Sequence, residues 1–235
     1  HNGPSDNVLK DLKYMLDHKA SFSIYMAHGG TTFGTYNGAN APPFIPQTSS
    51  YDYDAPINES GQATEKFHSI RNLLSNYLQQ GESIPNIPAP FPAQQISNFQ
   101  FSQIAPLWKN LPKPVQNDTL MLMEDLDQAY GAVLYQTKLQ AGNKAKLRFK
   151  NVNDYALVYV NKVFIGTLDR IKADSTIEIP QREKAALLEI LVEATGRINY
   201  GRYIHDRKGI HGKVILDNGQ TQKVLSGWNN YPITL

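Results

Sequence analysis

Residues 155–168 read YALVYVNKVFIGTL. Two apolar runs meet at Val160-Asn161-Lys162-Val163, and asparagine tolerates the positive φ that a tight hairpin turn demands, so the stretch predicts two paired strands. Further runs of the same kind lie around it: GAVLYQTKL (131–139), AKLRFKNV (145–152), STIEIP (175–180), ALLEILVEA (186–194) and HGKVIL (211–216). Strands at this spacing, with turn residues between them, predict a β-sandwich or jelly roll. Most aromatic residues between 131 and 168 sit at core spacing, which argues against an exposed, coplanar sugar-binding platform.

Before this all-β region the composition changes. From Gly81 to Pro114 there are seven prolines and no period, the pattern of an extended linker laid over a surface. Earlier still, Val8, Leu9, Leu12, Met15 and Leu16 recur at helical spacing behind Ser5 and Asp6, either of which could cap, and predict a helix over 6–19. In SFSIYMAHGG (21–30), Phe22, Ile24 and Met26 alternate with Ser23, Tyr25 and Ala27, which predicts a short strand ended by Gly29-Gly30. A glycine- and proline-rich loop follows over 29–63, long enough to suggest a function. Phe67, Ile70, Leu74, Tyr77 and Leu78 then predict a second helix over about 64–79, closed by Gly81. Helix, strand, loop, helix is the order of a parallel α/β unit. Residues 1–5 lead into helical periodicity with no strand before it, the look of a chain cut within a longer fold.

The 235 residues, 41% of them hydrophobic, suffice for one large domain or two modest ones. A formal charge of +2, from 23 basic and 21 acidic residues mixed along the chain, sets up no field to steer nucleic acid or an anionic membrane. No apolar run is long enough for a membrane span, and no signal-peptide pattern opens the chain. The absence of cysteine excludes disulfides, thiolate metal sites and a cysteine nucleophile, and leaves the compartment open, with a periplasmic or secreted bacterial setting favoured.

Several constellations fail on inspection. His28-Gly29-Gly30 looks like a lipase oxyanion loop, but no G-x-S-x-G elbow accompanies it. His205, Asp206 and His211 lack a second pair at ligand spacing and read as a surface loop; no metal or cofactor is expected. The sequons at Asn58 and Asn117 are short enough to arise by chance. SSYDYDAPINESG (49–61) is more pointed. If the segment is extended, Asp52 and Asp54 face one way and Tyr51 and Tyr53 the other. The carboxylates then suit two-carboxylate glycoside hydrolysis, or one shapes the turn before Pro56 while the other pairs with a basic residue; both readings are open from the residues.

IYMAHGGTTFGTYNGAN (24–40), followed by PQTSSYDYDAPINESGQATEKFHSIRNLL (46–74), resembles the closing part of the catalytic barrel in glycoside hydrolase family 35 β-galactosidases, and LVEATGRINYG (191–201) resembles a signature of the β domain that follows that barrel. The resemblance implies a fold that is α/β plus all-β: the last part of a (β/α)8 TIM barrel at 1–80, a linker at 81–115, and a jelly-roll β-sandwich at 116–235. It implies a retaining exo-β-galactosidase acting on terminal β-D-galactose, with a β-galactoside as substrate and the upstream part of the barrel as structural partner. In that family both catalytic glutamates lie on earlier strands; neither motif has a counterpart here, so no catalytic residue is assigned and the chain alone is expected to be inactive. Tyr25 matches a barrel tyrosine near the nucleophile and Tyr53 the tyrosine that helps close the galactose pocket, while Asp52 and Asp54 fall back to shaping the loop. The alternatives are a non-catalytic carbohydrate-binding module and a purely structural β-sandwich that braces the barrel.

Overall fold

The computed structural model describes residues 5–47, 49–92 and 94–234, and the chain folds as two compact units, His1–Thr32 with Ser49–Gln100 and Phe33–Thr48 with Phe101–Leu235.

The first unit is helical. α1 (Ser5–Asp17) buries Leu12 and leaves Val8 and Met15 more than a third exposed. α2 (Glu65–Ser75) starts where the Thr64 side chain accepts a hydrogen bond from the Phe67 amide, and it buries Ile70. The two helices meet through Tyr77, just past α2, whose hydroxyl donates to Asp17 at 2.6 Å. The short strand expected in SFSIYMAHGG before Gly29-Gly30 is not formed: residues 21–24 carry no ladder. Alternation writes the two faces of a strand, whereas the strand itself needs a neighbour to exchange backbone hydrogen bonds, and none runs beside these residues among those described. Pairing begins only at its end, where His28 bridges Ile57 in parallel and the Ile57 amide donates to Ala27 at 2.9 Å.

The second unit is built of strands. β1 (Gly38–Asn40) and β2 (Ile45–Pro46) come from the long loop, and β3 (Val115–Asn117) follows the proline-rich stretch. Next come β4 (Ala132–Leu139), β5 (Ala145–Arg148), β6 (Asn151–Asn153), β7 (Tyr155–Val160), β8 (Val163–Asp169), β9 (Thr176–Ile179) and β10 (Ala186–Glu193). The chain ends through β11 (Arg197–Ile198), β12 (Gly209–His211), β13 (Ile215–Asp217), β14 (Gln222–Val224) and β15 (Trp228–Ile233). One sheet has six antiparallel strands in the order β3-β15-β4-β10-β7-β8, and a second has four in the order β14-β13-β5-β9. Val133, Val158, Leu188 and Ile190 of the first share one core with Leu147 and Ile179 of the second. The β7–β8 hairpin turns at Asn161 and Lys162, with φ of 50° and 64°, as the sequence predicts. Its tip is pinned by the Asn161 side chain, which accepts from the Leu187 amide at 2.8 Å.

β15 has no counterpart among the expected strands. Pro232 speaks against it, since proline breaks a ladder; yet β3 pairs only with Trp228–Asn230, so at Pro232 the strand has become an edge with no N–H required on that side. Among the described residues no helix is long and apolar enough to cross a membrane.

Candidate functional site

A cleft in the helical unit has a volume of about 730 Å³, and Tyr25, Tyr51 and Tyr53 all line it, with Leu12, Phe22 and Ile70 among its apolar walls. The two residues singled out in the sequence, Tyr25 and Tyr53, are thus brought to one concavity. Tyr25 is 90% exposed and Tyr53 43%, so both rings are open to a ligand.

Backbone geometry explains how Tyr51 and Tyr53 come together. The SYDYD segment is not extended throughout: Tyr53 and Asp54 take left-handed φ of 52° and 56°, and the Ala55 amide closes a turn on the Asp52 carbonyl at 3.1 Å. The rings of Tyr51 and Tyr53 lie side by side with centroids 4.7 Å apart and a tilt of 57°. Burial pushes the Tyr51 hydroxyl above the ordinary tyrosine range, and the neighbouring Tyr25 and Tyr53 push it further. Gly29 makes the close approach possible, because a Cβ there would overlap the Tyr51 carbonyl oxygen. The Tyr51 amide donates back to Gly30 at 2.9 Å.

The aspartates have separate surroundings. Asp54 is bound by Lys66 at 2.6 Å, and the same ammonium donates to the Asp54 carbonyl oxygen at 2.8 Å, which ties the turn to α2. Asp52 Oδ1 is buried and, among the described residues, without a hydrogen-bond partner. Among the described residues no glutamate lines the cleft; Asp11 and Asp54 do, and Asp54 is engaged by Lys66. The arrangement offers aromatic faces and hydroxyls, groups that can pack on C–H bonds and exchange hydrogen bonds with a polar ligand.

In the β unit, Asp206 and His211 belong to a polar network joined by the Asn153 side chain, His205 lies nearby in the same cleft, and no metal-holding group of three or more is found among the described residues. Lys208 is fully buried and donates to both oxygens of Asp154, at 2.9 and 2.8 Å, and to Asp206 at 2.8 Å. Arg170 donates to the same two carboxylates at 2.9 and 2.7 Å. Burial opposes ionisation of Asp206, but the hydrogen bonds from Arg170 and Lys208 outweigh it and hold that carboxyl below its ordinary range. Phe44 covers the cluster, its ring centroid 4.1 Å from the Arg170 guanidinium and 4.8 Å from Lys208 Nζ. Sequence reasoning missed this site, for its members are scattered and nothing in the sequence joins Phe44 to Lys208.

The comparisons match two separate parts of the chain. Residues 1–77 match the family described as "Glycosyl hydrolases family 35", and residues 121–234 match "Beta-galactosidase, first all-beta domain". The beta-galactosidase of Xanthomonas manihotis is 35% identical over 96% of this chain and 38% of its own length. Beta-galactosidase 1 of Dictyostelium discoideum is 32% identical over 97% of this chain and 38% of its own, and the human beta-galactosidase 33% over 97% and 34%. The chain therefore spans little more than a third of the curated relatives it matches. A crystal structure of a GH2 beta-galacturonidase from Eisenbergiella tayi aligns with a TM-score of 0.28 at 14% identity, over 52% of this chain and 23% of that one.

Proposed function

We propose that this chain, which resembles the family 35 β-galactosidases on both sides of its linker, is part of a retaining exo-β-galactosidase that removes terminal β-galactose from glycans or oligosaccharides. In this reading residues 1–80 are the closing part of the (β/α)8 catalytic barrel, 81–115 a linker, and 116–235 a jelly-roll domain. The observation that carries it is the convergence of Tyr25, Tyr51 and Tyr53 on one cleft at the end of the segment read as a barrel strand. Such a strand end is where a barrel places its active site.

The chemistry divides accordingly. Two glutamates about 5 Å apart, from the remainder of the enzyme, would form and hydrolyse a covalent galactosyl intermediate. The residues present here bind and orient. The Tyr53 ring packs on the C–H face of galactose and its hydroxyl bonds a sugar oxygen, while Tyr25 faces the nucleophile. Asp54 and Lys66 keep the turn in shape.

The test uses the enzyme containing both glutamates and a nitrophenyl β-galactoside. Tyr53→Phe keeps the ring and removes the hydroxyl, and kcat/KM is expected to fall by the equivalent of about 1 to 3 kcal/mol. Wild-type values for both turnover and galactose inhibition would rule out the pocket role of Tyr53. The 235-residue chain by itself is expected to show no turnover; hydrolysis by the homogeneous chain would overturn the assignment of both carboxylates to other residues.

A further inference from the structure

On β10, Leu188 and Ile190 belong to the core shared by the two sheets, so Glu189 between them lies on the opposite face of the six-stranded sheet. An outward position faces solvent unless something covers it, and Glu189 is 0% exposed. No ion pair reaches its carboxylate among the described residues. Three N–H donors do: the Trp108 indole at 2.7 Å and the Gln136 side-chain amide at 3.1 Å on Oε1, and the Lys162 backbone amide at 2.7 Å on Oε2.

The donors come from three segments of the β unit. Gln136 stands opposite Glu189 on β4, and Lys162 is in the β7–β8 turn. Trp108 comes from Leu107–Lys109, a single 3-10 turn set between residues 103–106 and 111–114, which carry no regular structure. The bonds that shape this turn are internal to it: the Lys109 amide donates to the Pro106 carbonyl at 3.0 Å and the Asn110 amide to the Leu107 carbonyl at 2.9 Å. Trp108 joins the turn to the sheet twice, through its N–H on Glu189 and through its ring, which meets Tyr159 edge-on with centroids 5.0 Å apart at 73°.

We propose that Glu189 is an acid-sensitive latch for this strap: the carboxylate holds the Leu107–Lys109 turn on the sheet, and a proton on the carboxylate releases the turn while the sheet stays folded. An ionised carboxylate only accepts, and N–H groups bond to it more strongly than to a neutral acceptor. The neutral acid carries an O–H donor into a site whose other members are all donors, so one bond is lost and the rest weaken. The strands keep their attachment, because β10 is held to β4 and β7 by backbone ladders that do not involve the Glu189 side chain. The titratable neighbours are Tyr159, opposite Glu189 on β7, Lys138 two positions beyond Gln136 on β4, Lys162 in the hairpin turn and Lys109 in the strap. None forms an ion pair with Glu189, so N–H dipoles alone balance its charge.

Nuclear magnetic resonance on the 235-residue chain tests it. The Trp108 indole N–H and the Lys162 amide report the latch. The Trp228 indole, which donates to the Leu225 carbonyl at 3.3 Å, and the Ile190 amide report the sheet. As pH is lowered from neutral, the two latch signals are expected to shift with one common midpoint, and the protection of the Trp108 indole against hydrogen exchange to fall at least about tenfold while Trp228 and Ile190 stay protected. Glu189→Gln keeps the shape and removes the charge, and it is expected to release Trp108 already at neutral pH. Loss of Trp108 protection only together with that of Trp228, where the whole sheet unfolds, would overturn the latch. So would a Glu189→Gln chain whose Trp108 indole is as protected as in the wild type. If that variant does not fold, the wild-type titration decides alone, since it needs no substitution.

Discussion

Lys66–Asp54 in the helical unit and Lys208–Asp154 in the β unit are ion pairs of nearly equal length, 2.6 and 2.8 Å, but their side chains are 15% and 31% exposed in the first and 0% and 1% in the second. Water supports the first pair. The second is closed to bulk solvent, and its bonding is completed by protein: Asp206, Arg170 and the Thr195 amide surround Asp154 and Lys208. The same contrast runs through both units. The β unit surrounds its buried ion pairs with protein partners, though Asn37 Oδ1, Gln128 Oε1 and Arg197 Nη2 are buried there without a hydrogen bond among the described residues, whereas the helical unit leaves Val8, Met15 and Ile24 more than a third exposed around a cleft. One region stabilises itself and the other offers surface.

The sharpest way to break that comparison is to remove a cation from each pair. Lys208→Met leaves two buried carboxylates to a single arginine, and a loss of about 3 to 5 kcal/mol from the β unit is expected. Tryptophan fluorescence during urea unfolding isolates the effect, because both tryptophans of the chain, Trp108 and Trp228, lie in that unit. A loss under about 1 kcal/mol would mean that the cluster is hydrated and the contrast false.

Apolar truncation gives the next effect. Ile190→Ala, at a site with 0% exposure, should cost about 2 to 5 kcal/mol by the same fluorescence, and Val8→Ala, at 39% exposure, under about 1 kcal/mol by helical circular dichroism. Equal losses would show that the helical unit is as closed as the β unit.

These sites also mark how far the sequence could be read. The β7–β8 hairpin is local: its turn residue and its strands lie between Tyr155 and Asp169, so chemistry and pairing are written together. The cleft was half legible. Tyr25 and Tyr53 could be singled out, but the left-handed φ of Tyr53 and Asp54, which a period-two reading forbids, brings Tyr51 beside Tyr53 and sends Asp54 to Lys66. What stayed hidden is non-local. Nothing near Gly38 announces a parallel partner at Arg197, and nothing near Phe44 announces Lys208. Residues 21–24 err in the opposite sense, since alternation is a property of one strand and a ladder is a property of two.

Lys66→Met is the counterpart of the first substitution and should cost only about 1 kcal/mol, since solvent can take over the charge of Asp54. Its signature is in the cleft: with Asp54 released, the turn at Tyr53 loosens, and in the enzyme containing both glutamates galactose inhibition should weaken more than thermal stability falls. A stability loss matching that of Lys208→Met would erase the distinction between the two pairs.

The smallest effect is one of acid. Hydrogen bonds from Arg170 and Lys208 depress the Asp206 carboxyl despite its burial. A carboxyl whose folded pKa lies below its unfolded one adds stability that is complete above the unfolded value, about 3.9, and is lost as pH falls through the folded value. The β unit should therefore keep its urea midpoint from pH 7 down to about 5 and lose ground below about 4. A single proton sets the limit: the slope from Asp206 cannot exceed about 1.4 kcal/mol per pH unit, and access of solvent brings it well below that. Asp125 is depressed as well, by its bond from Arg207, but its side chain is 45% exposed and adds little. Asp206→Asn should lower stability at pH 7, because Arg170 and Lys208 lose a charged acceptor, and should flatten the acid slope of the tryptophan signal. If the variant keeps the full wild-type slope below pH 4, the acid sensitivity of the β unit lies elsewhere, and the closure of its buried network is not what separates it from the helical unit.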